Sequence, residues 1–167
     1  GLMYQPAKGI SLYANVAKGF RPNSGISINN TAFPAEESRS YEVGLKFDTP
    51  DNKTSATIAL YSIKKTNVLT TNPANTDFSI AAGEVGSKGL ELDVAGDITR
   101  DLRLSVAYAY TDATVTKGDN TIGTGSRFPN VAKHSANLIL SQLFAIGTAR
   151  ASVGAGINYV GERLGDV

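Results

Sequence analysis

The chain has 167 residues, 41% of them hydrophobic, with a formal net charge of +1 and a pI near 8.1. That length is one domain's worth of sequence, and a mean hydropathy of -0.11 without a long apolar run excludes a membrane-spanning helix, which needs about 20 apolar residues in succession. Scattered, balanced charge offers no footprint for nucleic acid, and the absence of cysteine removes disulfides, thiolate metal sites and cysteine catalysis.

A short alternating stub, Leu2–Gln5, ends at Pro6, and Ala7-Lys8-Gly9 reads as a turn. The first full strand, Ile10–Gly19, sets Leu12, Ala14 and Val16 on one face against Tyr13, Asn15 and Ala17. A long connection over Phe20–Ser38 carries the breakers Pro22, Gly25 and Pro34. The next strand, within Arg39–Thr49, alternates Tyr41, Val43, Leu45 and Phe47 with Glu42, Gly44, Lys46 and Asp48, the period of a strand with one apolar and one wet face. Pro50-Asp51-Asn52 turns the chain into Thr54–Thr66. There Ala59, Tyr61 and Ile63 compete with Ala56, Ile58 and Leu60 for the apolar face, and we assign it to the first set.

After a long connection at Asn67–Ser79, a strand from about Ile80 to Gly96 points Leu90, Leu92 and Val94 one way and Ser87, Gly89, Glu91 and Asp93 the other. The short break Gly96–Asp101 leads to Leu102–Val115, where Leu104, Val106, Tyr108 and Tyr110 oppose Arg103, Ser105, Ala107 and Thr111. A third long connection, Lys117–Lys133, precedes the strands Lys133–Leu143 and Ala149–Gly161, the last offering Val153, Ala155, Ile157 and Tyr159. No segment has helical period.

Short and long connections therefore alternate, which puts the long ones at one end. An outer-membrane barrel has this asymmetry, with short periplasmic turns and long extracellular loops. The expected fold is all-β: an antiparallel up-and-down meander of about seven or eight long strands, part of a transmembrane β-barrel. Tyr41 and Phe47 lie six residues apart on one face, about 20 Å of strand, or near 15 Å of depth at a tilt of about 40°. Two further architectures fit a meander of this length. One is a small stand-alone outer-membrane barrel of eight strands, and the other a soluble all-β binding domain. The termini lack a strand-closing aromatic and a leader, so the chain is expected to be a segment of something larger.

Several segments, in order, resemble the C-terminal half of TonB-dependent outer-membrane receptors, the ferric-siderophore branch in particular. Gly1-Leu2-Met3-Tyr4-Gln5-Pro6, Ser11-Leu12-Tyr13-Ala14 and Lys18-Gly19-Phe20-Arg21-Pro22 look like that family's strand, turn and strand into a long loop. Glu36-Glu37-Ser38-Arg39-Ser40-Tyr41-Glu42-Val43-Gly44-Leu45-Lys46 is similar to its next strand, and Ala59-Leu60-Tyr61-Ser62-Ile63 to the one after. Gly86-Ser87-Lys88-Gly89-Leu90-Glu91-Leu92, Ala107-Tyr108-Ala109-Tyr110-Thr111-Asp112-Ala113, Pro129 to His134 and Tyr159-Val160-Gly161-Glu162-Arg163 complete the series. The resemblance implies that residues 1–167 are a barrel segment of a receptor of about 22 strands, with the N-terminal plug and the remaining strands absent. It implies a bacterial outer-membrane protein that transports ferric siderophore. Its partners would be outer-membrane lipid, the siderophore, and TonB through the missing plug region.

No enzyme is expected. His134 is the only histidine, which rules out a multi-histidine metal site, and it reads as a structural residue at a strand mouth. Asp112 and Asp119 lack the spacing of a calcium loop, and the Gly-rich Ser87-Lys88-Gly89 and Gly123-Thr124-Gly125-Ser126 do not open a helix as a phosphate cradle would. Glu91 and Asp93 share a strand face but have no acid–base partner, so they are expected to be hydrated lumen residues. No resident cofactor is expected; the ferric siderophore is cargo. The candidate ligand contacts are Phe20, Arg21, Phe33, Phe78, Arg127 and Phe128, in or beside the long loops. Arginine can pair with an anionic chelate, and aromatic rings can stack on its organic frame.

Overall fold

The computed structural model describes residues 1–24, 27, 30–71, 77–81, 83–118 and 123–165; Gly25, Asp119 and the last two residues lie outside them. Eight strands form one antiparallel sheet: β1 (Leu2–Ala7), β2 (Ile10–Arg21), β3 (Glu36–Asp48), β4 (Thr54–Thr66), β7 (Glu84–Asp97), β8 (Leu102–Lys117), β9 (His134–Ile146) and β10 (Ala149–Val160). They pair in chain order, so the meander is as expected. Between β4 and β7 a separate hairpin pairs β5 (Leu69–Thr71) with β6 (Ser79–Ala81). The expected strand from Ile80 therefore divides in two: Ser79–Ala81 belongs to the hairpin and the wall strand starts at Glu84. Gly83 at the break has φ +88, the left-handed region that β-carbon sterics deny other residues, and it redirects the chain. Pro6 falls inside β1 rather than ending it, at the register irregularity between Tyr4 and Ala7, where neither Gln5 nor Pro6 has a registered partner on β2.

Register separates two faces. One row runs Leu12, Leu45, Ile58, Leu92, Tyr108, Ala136, Tyr159 across seven strands. The assignments for β2, β3, β7, β8 and β10 hold, but β4 is the reverse of the expectation. Ala56, Ile58 and Leu60 join the apolar face, while Ala59, Tyr61 and Ile63 lie on the polar one opposite Gly44, Glu42 and Ser40. Both parities of β4 are apolar, so its own pattern cannot choose. The neighbours choose for it, because a one-residue slip would set Lys46 and Glu91 among the leucines.

The apolar face is open: Val43 is 54% exposed, Leu60 53% and Ile157 71%. Among the described residues the buried apolar side chains are only Ala59, Val68, Val85 and Val115. A soluble sandwich needs a second sheet packed about 10 Å away, and among the described residues no second sheet covers this face. A closed eight-stranded barrel needs its first and last strands paired, whereas β1 and β10 stand at opposite edges. Outward aromatics also step across the sheet. Tyr41 lies four residues beyond the Leu45 row toward the long loops, Tyr110 two beyond it, and Tyr159 on it. Over five strand spacings that is a slant of about 30°, near the strand tilt of a membrane barrel. The sheet is a section of transmembrane barrel wall.

The short turns are built locally. At β1–β2, Gly9 has φ +82, and a β-carbon there would stand 2.2 Å from the Asp48 carbonyl oxygen. At β3–β4, Thr49 and Thr54 close the loop through backbone and hydroxyl hydrogen bonds, and Asn52 takes φ 55. The Thr49 hydroxyl donates to the Asp51 carboxylate at 2.7 Å and the Lys53 N–H donates to it at 3.2 Å, which holds Asp51 below the usual carboxylate range. A lowered folded value means the contribution is present above the unfolded pKa and is lost as pH falls through the folded one. Thr49→Val is expected to return Asp51 toward its ordinary value in a carboxyl-carbon NMR titration.

Candidate functional site

The polar face of β2, β3, β4, β7, β8, β9 and β10 carries Tyr13, Glu42, Lys46, Tyr61, Glu91, Asp93, Arg103, Asn137 and Asn158. Its tyrosines lie along the wall over glycines of the facing strand. Tyr13 is registered opposite Gly44, and Tyr61 opposite Gly89. A β-carbon at Gly44 would fall 2.5 Å from the Tyr13 ring; one at Gly89 would fall 2.6 Å from the Tyr61 hydroxyl oxygen. Tyr61 crosses the gap to share a 3.0 Å hydrogen bond with the Thr111 hydroxyl on β8, and Lys46 Nζ stands 5.4 Å from the Tyr13 ring centre. These glycines leave the rings room to lie flat, an aromatic covering of strand glycine. Glu91, Asp93, Asn137 and Asn158 line a hollow of about 400 Å³ on and beside this face, and the two asparagine side chains hydrogen-bond to each other.

At the long-loop end the same face closes with charge. Glu36 is buried, 6% exposed, and is held by Arg21 Nη2 at 3.1 Å and Lys65 Nζ at 3.1 Å. Two cations around one carboxylate leave a net positive mouth, with the Arg21 side chain 73% exposed. Asn23 Nδ2 donates to the carbonyls of Pro34 and Asn67, and Asn67 Nδ2 donates to that of Ala35, which ties the β2–β3 connection to the start of the next one. The β8–β9 connection folds back on its own strand. Thr114 bridges Arg127, and Phe128 N–H donates to the Ala113 carbonyl.

The six sequence candidates are spread over this end rather than gathered. Phe20 continues β2 on the apolar face, 78% exposed. Arg21 is on the polar face with Glu36. Phe33 is half-buried in the β2–β3 connection, and Phe78 half-buried just before β6. Arg127 donates to the Glu162 carbonyl at 3.5 Å, and Phe128 is half-buried beside it. No hydrogen bond, ion pair or ring contact joins any two of the six among the described residues. Glu36 and Lys65, which complete the charged mouth, were not candidates. Their signal is non-local, because Lys65 meets Glu36 only through the β3–β4 register. His134 hydrogen-bonds the Tyr108 hydroxyl through Nδ1 at 2.9 Å and packs against the Tyr110 ring, a structural position at the mouth of β9. Among the described residues no three His, Cys, Asp or Glu side chains group as a metal site.

A family model described as TonB dependent receptor-like, beta-barrel, matches residues 1–167. The metal-pseudopaline receptor CntO of Pseudomonas aeruginosa is 46% identical over 167 residues, covering 99% of this chain and 23% of the relative. The ferrichrome outer membrane transporter/phage receptor of Escherichia coli is 29% identical, covering 99% of this chain and 22% of the relative. Among solved structures, the ferric yersiniabactin uptake receptor FyuA from Yersinia pestis shares the fold at a TM-score of 0.80 and 20% identity, over 98% of this chain and 25% of that one. The siderophore receptor PiuA from Acinetobacter baumannii superposes at 0.74 with 27% identity, over 95% of this chain and 25% of that one. The chain spans about a quarter of the length of these two curated relatives.

Proposed function

Because the chain belongs to the TonB-dependent receptor β-barrel family, we propose that it is a wall segment, with its long loops, of a receptor that imports a ferric siderophore. The family is one of outer-membrane receptors, so these strands lie in the outer membrane of a Gram-negative cell with their apolar face to lipid. In the proposal the polar face lines the lumen and packs against a plug supplied elsewhere in the whole receptor. Energy comes from TonB through that plug, and the segment itself performs no catalytic step. The observation that carries the reading is the mouth built on Arg21, Glu36 and Lys65. Its two cations and one carboxylate on the polar face, beneath loops anchored by Asn23 and Asn67, support that reading. An anionic metal chelate entering from outside meets cations there, at the level where charge assists capture.

The relative named for a metal–pseudopaline complex favours a second reading, in which the cargo is a metal chelate not restricted to iron. One experiment addresses both. Cells lacking the full receptor gene, and cells carrying Arg21→Gln in it, are given iron, nickel, cobalt and zinc chelates, and metal uptake is measured. Loss of ferric uptake on deletion, with affinity weakened about threefold to tenfold in Arg21→Gln, is the expected result; the estimate is the worth of one partly exposed charge-assisted hydrogen bond. Uptake of every chelate unchanged on deletion would overturn the metal-chelate reading and leave other cargo for the barrel.

A further inference from the structure

The three charged residues of the mouth stand at the ends of their strands, where a β-ladder gives least support. Arg21 and Glu36 form the final registered pair of β2 with β3, and Lys65 lies next to the final pair of β3 with β4. The first ladder cannot continue above Arg21. Pro22 follows it on one side and Pro34 stands just before Ala35 on the other, and neither proline has an N–H to give. On the third strand the chain leaves the sheet at Asn67, whose φ of 58 is left-handed. Two asparagine amides fasten what the ladder leaves open. Asn23 Nδ2, just past Pro22, donates to the Pro34 carbonyl at 2.6 Å and to the Asn67 carbonyl at 2.9 Å. Asn67 Nδ2 donates to the carbonyl of Ala35 at 2.8 Å, and Ala35 adjoins Glu36 in the chain. Both asparagines are half-buried. One clasp therefore spans three strand ends, directly above Arg21, Glu36 and Lys65.

We propose that Asn23 and Asn67 are positioning residues of the mouth, which hold Arg21 and Lys65 around Glu36 before any anion arrives. The proposal rests on the reading of that mouth as the contact for an anionic chelate. Arg21 Nη2 and Lys65 Nζ each lie 3.1 Å from a different oxygen of the Glu36 carboxylate. The spacing of the two cations is therefore set by the strand ends that carry them. Their side chains are 73% and 47% exposed, so packing restrains them little and the backbone beneath must. A ligand that has to order two long side chains loses affinity in doing so, and one that meets them already placed does not. Asparagine serves twice at position 67, because it tolerates left-handed backbone and its amide is a donor. Glycine supplies the first property without the second, which separates them in a test.

The test uses the full-length receptor purified in detergent. The probes are three iron(III) complexes: the anionic citrate and tris-catecholate complexes and a neutral trihydroxamate. Asn67→Gly and Arg21→Gln are each expected to weaken the anionic complexes about threefold to tenfold. The double variant should lose no more than the weaker-binding single one, since the clasp acts through the guanidinium. The neutral complex should change less than about twofold. Losses that multiply in the double variant overturn the proposal, as does an equal loss for the neutral complex, which would mark a general loosening of the loops. An Arg21→Gln receptor that binds the anionic complexes unchanged removes the mouth reading, and this proposal with it. Deuterium exchange on the ligand-free receptor decides whatever the cargo. The amides of Glu36–Ser38 and Lys64–Thr66 should exchange about tenfold faster in Asn67→Gly and in Asn23→Ala, with Ala113–Val115 unchanged. Unaltered exchange at those strand ends overturns the proposal even where none of the three complexes binds.

Discussion

Leu45→Arg and Ile58→Arg in the full-length receptor are each expected to lower unfolding free energy in lipid vesicles by about 2–4 kcal/mol, while Thr57→Lys stays within about 1 kcal/mol. Leu45 and Ile58 are registered neighbours at the middle of the apolar face, with apolar rows on either side of them. A cation there must shed its hydration or drag water and headgroups inward. Thr57 lies one residue along β4 but points to the lumen, between Lys46 and Asp93. The triplet tests the face of β4, where the sequence pattern is ambiguous. If Thr57→Lys is the costly change and Ile58→Arg the mild one, β4 is turned the other way, with Ala59 and Tyr61 to lipid. Reversible denaturant unfolding with intrinsic fluorescence or gel mobility as the readout distinguishes these outcomes.

Gly44→Val and Gly89→Val are expected to destabilise by about 1–3 kcal/mol each through overpacking, and they should differ in how they can be rescued. All three nearest atoms to a β-carbon at Gly44 belong to the Tyr13 side chain, two ring carbons and the hydroxyl oxygen, at 2.5 to 2.6 Å. Removing the ring with Tyr13→Ala opens the space, so the double variant should lose much less than the two single costs added together. At Gly89 the nearest atom is the Tyr110 backbone oxygen, with the Tyr61 hydroxyl oxygen only second. Tyr61→Ala cannot move a backbone carbonyl in a ladder, so Gly89→Val should remain costly in that background. A double-mutant cycle therefore gives a large coupling energy for Tyr13 with Gly44 and a small one for Tyr61 with Gly89. Equal coupling at both sites would mean that the rings do not lie over these glycines as described.

The mouth illustrates how partly the site could be read from the chain. Arg21 was identifiable because an arginine at the start of a long polar connection is a plausible anion contact whatever the fold. Its partner Lys65 sits 44 residues later at the end of another strand, and only pairing of β2 with β3 and β3 with β4 brings both to Glu36. Phe20 stood beside Arg21 in the same connection, yet β2 runs on to Arg21. Strand parity then sends the two side chains to opposite faces, one to lipid and one to the lumen. The β5–β6 hairpin was missed for a related reason: three-residue strands carry too few alternations to show a period.

By itself the sequence determined the class of wall. Tyr41, Val43, Leu45 and Phe47 alternate with Glu42, Gly44, Lys46 and Asp48 because lipid lies on one side of β3 and a wet lumen on the other, and that contrast is written residue by residue along a single strand. The alternation of short and long connections likewise needs no neighbour to be seen. Tertiary structure decided what depends on register: the face of β4, the tyrosines laid over Gly44 and Gly89, and the Arg21–Glu36–Lys65 mouth. Those residues come from different strands, and their separation in the chain is bridged by backbone ladders whose alignment is fixed only when neighbouring strands put all their apolar residues on one side together.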